Sequence, residues 1–159
     1  MNFKQLSAAF LILLCLFVPG ALAGAGQALH DSRHYDPARD PFQDLDAAAD
    51  RAASANKKVL VMVGGDWCSW CHILEAFLAE NPDVKNRLYG TFEVVKVYLG
   101  EENYNEDFFS YFPDLNGVPH FYIVSAERTV LGSQSTAELE KSRSYDKGRF
   151  MSFIDGWSR

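Results

Sequence analysis

The stretch that most restricts this chain is Gly64-Gly65-Asp66-Trp67-Cys68-Ser69-Trp70-Cys71-His72, because it joins two runs of different period. Before it, Val59-Leu60-Val61-Met62-Val63 is continuously apolar, the pattern of a strand covered on both faces. After it, Ile73, Leu74, Phe77 and Leu78 recur at helical spacing and predict a helix from about Cys68 to Glu80. A buried strand thus feeds a two-glycine turn that opens into a helix carrying Cys-x-x-Cys in its first turn. Cβ atoms three apart on a helix lie about 5–6 Å from each other, which a modest adjustment of the first turn converts into bridging distance. The helix N-terminus directs unpaired N–H groups and partial positive charge at Cys68, which favours thiolate over thiol. This is the layout of a dithiol that cycles.

The N-terminus bears on the same cysteines. Lys4, an apolar run from Ala8 to Val18, a Pro19-Gly20 break and the small-residue site Ala21-Leu22-Ala23 read as a signal peptide over residues 1–23, cut after Ala23. The apolar run falls short of the roughly 18 residues that a spanning helix needs, and Leu14 before Cys15 is the wrong residue for lipidation. The expected location is periplasmic or secreted. Cleavage removes Cys15, leaving Cys68 and Cys71 as the only cysteines of the mature chain. It also removes Lys4 and no acid, so the net charge moves further negative from −6 and offers nothing to nucleic acid or to an anionic membrane. A static structural disulfide is the plain alternative for an exported pair. Loop entropy would then yield roughly 2 kcal/mol for so small a ring, against about 4.7 for a 100-residue loop.

Residues 24–40 are polar and without period, and read as a flexible leader; His30, His34 and Tyr35 within it are the residues that a partner could touch. Asp40-Pro41-Phe42-Gln43 is a capping sequence, and Leu45, Ala48, Ala49, Ala52 and Ala53 mark one face of the helix that follows, ending near Asn56. Asn81-Pro82 stops or kinks the cysteine-bearing helix, and Val84 and Leu88 predict another helical segment before Gly90. A strand is predicted over Phe92–Leu99, a helix over Asn105–Phe112, a strand over His120–Val124, and a short strand over Thr129–Leu131 after a turn at Ala126-Glu127-Arg128. Ser133 to Ser144 reads as a solvated insertion. Phe150, Phe153, Ile154 and Trp157 define a last helix. The order argues for an α/β domain over 41–159, a mixed sheet of about four strands flanked by helices.

Trp67-Cys68-Ser69-Trp70-Cys71 on a strand-to-helix turn, with Gly117-Val118-Pro119 before a later strand, resembles the thioredoxin superfamily, and in detail its exported thioredoxin-like members. The resemblance spans roughly Pro41 to Trp157. It implies the thioredoxin fold and a redox-active Cys68–Cys71 disulfide, with Cys68 as attacking thiolate and Cys71 as resolving thiol. It also implies a cis Pro119 facing the disulfide and a Val118 backbone that pairs with bound peptide. The family's buried acid, six residues before the first cysteine, is replaced here by Met62, so proton transfer from Cys71 would need water, Lys96 or another group. Lys96 itself reads as a surface strand lysine. The Ser69-Trp70 dipeptide matches neither the Gly-Pro of reductases nor the Pro-His of the strong periplasmic oxidase.

Trp67 reads as a lid beside the disulfide with an apolar surface for substrate, and Trp70 as a second substrate contact. His72 could stabilise a thiolate, whereas Asp66 would oppose one. Phe108, Phe109, Tyr111 and Phe112 read as core. The expected activity is an extracytoplasmic thiol–disulfide oxidoreductase on protein substrates, acting as a monomer without cofactor or metal. The general resemblance favours the reducing direction, for which an electron-donating membrane partner would be needed. Two other classes fit the same residues: a redox-inert binding module, and a Cu or Zn carrier using Cys68 and Cys71 with His72 and His120. Soft thiolates suit such ions, but adjacent Cys71-His72 is awkward for one four-coordinate centre.

Overall fold

Asp40 starts the first helix as the sequence predicts. In the computed structural model, which describes residues 34–158, its carboxylate accepts the backbone N–H groups of Phe42 and Gln43, and Pro41 occupies the first turn of α1 (Pro41–Ala55). Gln43 reaches back to the Asp40 side chain at 2.9 Å, rather than to its backbone as a full capping box would. Asn56 ends the helix in the left-handed conformation, φ 52°. The signal segment expected over 1–23 with a cut after Ala23, Cys15 and His30 lie outside the described residues.

The elements that follow are β1 (Lys58–Gly64), α2 (Ser69–Glu80), α3 (Pro82–Thr91), β2 (Phe92–Tyr98), α4 (Glu106–Phe109), β3 (His120–Val124), β4 (Val130–Ser135), β5 (Glu140–Lys141), β6 (Ser144–Tyr145) and α5 (Lys147–Trp157). A four-stranded sheet runs in the order β2-β1-β3-β4. β1 pairs parallel with β2 (Val61 opposite Val95) and antiparallel with β3 (Val61 opposite Tyr122), and β3 pairs antiparallel with β4. Helices cover both faces.

The continuous apolar run of β1 now has its reason. Val59, Val61 and Val63 face one layer with Leu45, Ala48, Ala49 and Ala52 of α1, and with Phe108 and Tyr122. Leu60 and Met62 face the other layer, with Leu74, Phe77 and Leu78 of α2, Val84 and Leu88 of α3, and Phe150, Phe153 and Ile154 of α5. With period two and both faces dry, every position must be apolar.

Five expectations need correction. The helix expected over Asn105–Phe112 shrinks to one turn, because Asn105 sits at φ 48° and Pro113 follows. Phe108 is core and Phe109 and Phe112 pack beside it, whereas Tyr111 is exposed. The strand expected over Thr129–Leu131 extends instead from Val130 to Ser135. Its polar half belongs to an edge strand that needs backbone pairing on one side only. The segment 133–144 is not a solvated insertion: a 3-10 turn (Thr136–Leu139) and the β5–β6 pair carry Thr136, Leu139 and Tyr145 into the interior. Finally, residues 34–40 are packed rather than a loose leader. Tyr35 is 5% exposed, its N–H bonds Asp66 Oδ1 at 3.3 Å, and Asn103 Nδ2 bonds the Pro37 carbonyl at 2.9 Å. One aromatic ring anchors this segment, which is why no period betrays it.

Candidate active site

The turn after β1 is closed by the Cys68 N–H on the Gly65 carbonyl at 3.0 Å, and it delivers Cys68 to the N-cap of α2 in an extended conformation. The cap is the cysteine itself: the Cys71 N–H donates to Cys68 Sγ at 3.1 Å, and the Cys68 carbonyl accepts from the Cys71 and His72 N–H groups. Cys68 and Cys71 are joined as a disulfide with Cα atoms 5.2 Å apart. Cys68 is 5% and Cys71 3% exposed, so a sulfur that leaves this pair as thiolate has one N–H donor and a helix N-terminus beside it.

Sheet pairing brings in the second half of the site. Val63 lies opposite His120, so the loop before β3 arrives beside the loop after β1. Gly117 takes φ 86°, a conformation that L side chains rarely adopt, and leads into a cis Val118–Pro119 peptide bond. The Val118 carbonyl oxygen stands 3.6 Å from Cys68 Sγ. Pro119 is buried, and its carbonyl accepts from the Thr136 hydroxyl at 2.5 Å, which ties the loop to the segment that the sequence reading places in solvent.

Trp67 is 60% exposed, with its indole N–H on the Leu99 carbonyl at 3.0 Å. A side chain at Gly65 or Gly100 would strike its ring, so both positions need glycine for this pose. Trp70 is half-buried, edge-on to Tyr145 with ring centres 5.7 Å apart, so packing takes part of the surface expected to meet substrate. His72 is exposed, and its Nε2 lies 2.7 Å from the Asp66 carbonyl oxygen. Asp66 is turned toward His34, at 3.4 Å, and the Tyr35 backbone.

Lys96 is not a surface lysine. Its side chain is 5% exposed, its Nζ meets Glu75 Oε1 at 2.7 Å and lies 5.2 Å from the centre of the Tyr35 ring, and it pairs in register with the buried Met62. Strand alternation places Lys96 and Met62 on the same inward face, where a lysine requires a partner. Tyr35, expected from sequence only as a partner contact in a loose leader, and Glu75, which the sequence reading does not name, are site neighbours of the cysteines. Glu75 carries a signal, since it is one turn beyond Cys71 on the same helix face. Tyr35 carries none.

His120 is buried, with Nε2 at 2.7 Å from the Ser133 hydroxyl, and burial holds its pKa below the ordinary 6.5. That contact uses Nε2 and ties His120 to β4, while the buried Nδ1 has no hydrogen-bond partner among the described residues. Among the described residues no group of three or more His, Cys, Asp or Glu could hold a metal ion.

An α/β sheet with this order, and a cysteine pair at a helix start facing a buried cis-proline loop, define a thioredoxin fold with a dithiol/disulfide site. A family profile described as Thioredoxin-like matches residues 40–126, more than half of the chain, and the protein belongs to that family. Among solved structures it is similar to the disulphide isomerase from Xylella fastidiosa Temecula1, with TM-score 0.67 and 22% identity over 79% of this chain and 96% of that one. That likeness establishes the fold. Comparison with curated proteins finds no match.

Proposed function

We propose that this protein is an extracytoplasmic thiol–disulfide oxidoreductase that reduces disulfides of protein substrates. The observation that carries the reading is the environment of Cys68 Sγ, which receives the Cys71 N–H at 3.1 Å at the start of α2 and stands 3.6 Å from the Val118 carbonyl. Charge on this sulfur is favoured by the N–H donor and by the helix dipole. A peptide strand laid along Val118 would present its own disulfide to Cys68, with the exposed face of Trp67 as an apolar wall.

In the first step the Cys68 thiolate attacks one sulfur of the substrate disulfide. A Cys68–substrate disulfide forms, and the other substrate sulfur leaves as thiolate and takes a proton from water. In the second step Cys71, having lost its proton, attacks Cys68 Sγ and the second substrate sulfur leaves. Two electrons pass to the substrate, and the protein ends with the Cys68–Cys71 disulfide seen here. Repeated turnover requires a donor of electrons, for which a membrane dithiol protein is the class that an extracytoplasmic reductase needs. The signal segment 1–23 supports that location.

The test is trapping. Cys68→Ser should abolish exchange, whereas Cys71→Ser should accumulate mixed disulfides through Cys68. Equal alkylation rates for the two reduced thiols would refute the assignment of roles. Equilibration with glutathione reports direction: a potential near about −270 mV marks a reductant, and one near about −120 mV an oxidant and a refutation of the reducing role. Repair of a scrambled substrate without net reduction would assign isomerisation, the activity named for the Xylella protein, in place of reduction.

A further inference from the structure

Beside Cys71 lies a cavity of about 210 Å³ lined by His34, Tyr35, Gly65, Asp66, Cys71, His72 and Glu75. A side chain on Gly64 would meet Cys71 Sγ at 2.6 Å and the Tyr35 hydroxyl at 2.9 Å, so the sulfur and the phenol converge on one glycine. The Tyr35 hydroxyl is buried and has no hydrogen-bond partner while the disulfide is closed. A buried hydroxyl left so is costly, and a divalent sulfur in a disulfide is a poor acceptor whereas a thiolate is a strong one. Glu75 reaches the same cavity from one turn further along α2, and Lys96 holds it at 2.7 Å while lying over the Tyr35 ring.

We propose that Tyr35 and Glu75, held together by Lys96, handle the proton of Cys71: the phenol donates a hydrogen bond to the Cys71 sulfur while the Glu75 carboxylate takes the proton that this thiol gives up. The proposal deepens the oxidoreductase reading and rests on it. In the resolving step the Cys71 S–H bond breaks, and its proton passes to Glu75 directly or through water, for which the cavity has room. The sulfur's electron pair then forms the bond to Cys68 Sγ, the Cys68–substrate bond breaks, and the substrate sulfur departs as thiolate. Glu75 returns its proton to solvent. No other reactant is needed.

The charged and titratable groups around the phenol agree with a donor role. Burial first, then Glu75, Tyr145, Asp66 and Tyr89, hold the Tyr35 pKa well above its ordinary 10, so the phenol keeps its hydrogen throughout the pH range of thiol exchange. Lys96 sets its cation on Glu75 at 2.7 Å and 5.2 Å from the centre of the Tyr35 ring, and the His34 and His72 side chains line the same cavity.

Stopped-flow reaction of the fully reduced protein with an aromatic disulfide that releases a coloured thiolate separates the two steps. The first release reports attack by Cys68, and the second reports closure by Cys71. Tyr35→Phe and Glu75→Gln should each slow closure about tenfold at pH 7 and move its pH midpoint to higher pH, leaving the first release in place. Tyr35→Phe should leave the oxidised protein at least as heat-stable as the parent, since the lost hydroxyl had no partner there. Closure at the parental rate with an unmoved midpoint in both variants would overturn the proposal. A first release that survives Cys68→Ser would instead overturn the reading of Cys68 on which it rests.

Discussion

Gly64→Ala tests the crowding behind the disulfide with a single methyl group. Gly64 is the last residue of β1, and its carbonyl accepts the Leu99 N–H at 2.8 Å, so the backbone here cannot shift freely. The new Cβ would stand 2.6 Å from Cys71 Sγ, 2.8 Å from Tyr35 Cζ and 2.9 Å from its hydroxyl oxygen, each well inside van der Waals contact. Alanine in a strand gains about 0.5–1 kcal/mol over glycine through the unfolded chain. Overpacking a dry interior costs about 1–3 kcal/mol. The net loss in the oxidised protein is therefore about 1–2 kcal/mol. Reduction changes the sum, because a Cys71 thiol freed from Cys68 can rotate away from the methyl group while a bonded sulfur cannot. About half of the loss should vanish, and a difference of about 0.5–1 kcal/mol corresponds to roughly a two- to fivefold shift of the dithiol–disulfide equilibrium toward the dithiol. The assay is thermal unfolding of variant and parent, each with and without reductant, beside glutathione equilibration of both. The expected loss is about 3–8 °C oxidised and about half that reduced, for a domain of this size. Equal losses in the two redox states, or a shift toward the disulfide, would refute the crowding argument.

Two further predictions concern the frame around the site. Glu93 of β2 is buried between Arg51 at 3.3 Å and Lys57 at 3.1 Å, joining α1 to the sheet edge. Glu93→Ala should cost about 2–3 kcal/mol in urea unfolding, below the 3–5 of a wholly buried pair because both cations keep some solvent, and a loss under about 0.5 kcal/mol would deny the pair that role. His120 is held below its ordinary pKa of 6.5 chiefly by burial, with Glu138 opposing. Above pH 6.5 it is neutral folded or unfolded. Below that, the unfolded chain binds a proton that the folded one resists, so stability falls as pH drops from 6.5 toward the folded pKa. His120→Gln should flatten this part of the stability profile, and an unchanged slope would show that the imidazole does not supply it.

Much of this architecture was legible in the residues alone. Asp40-Pro41 and Asn56 bounded α1, the unbroken run from Val59 to Val63 announced a strand covered on both faces, and Cys68 to Cys71 after two glycines placed a thiol pair at a helix start. Each of these signals is local: capping, period and turn chemistry act over a few residues, so a linear reading can find them. The tertiary structure alone decided what stands behind the cysteines. Tyr35 lies far from Cys71 along the chain in a stretch with no period, and only packing against the end of β1 makes it a site residue. Lys96 reads as a surface lysine until β2 takes its place beside β1 and turns that side chain inward toward Glu75. Likewise the polar stretch from Ser133 to Ser144 gains its meaning only when Thr136 bonds the Pro119 carbonyl and Tyr145 meets Trp70. Burial of a polar side chain is a property of its surroundings, and those surroundings are supplied by strands and helices distant in sequence.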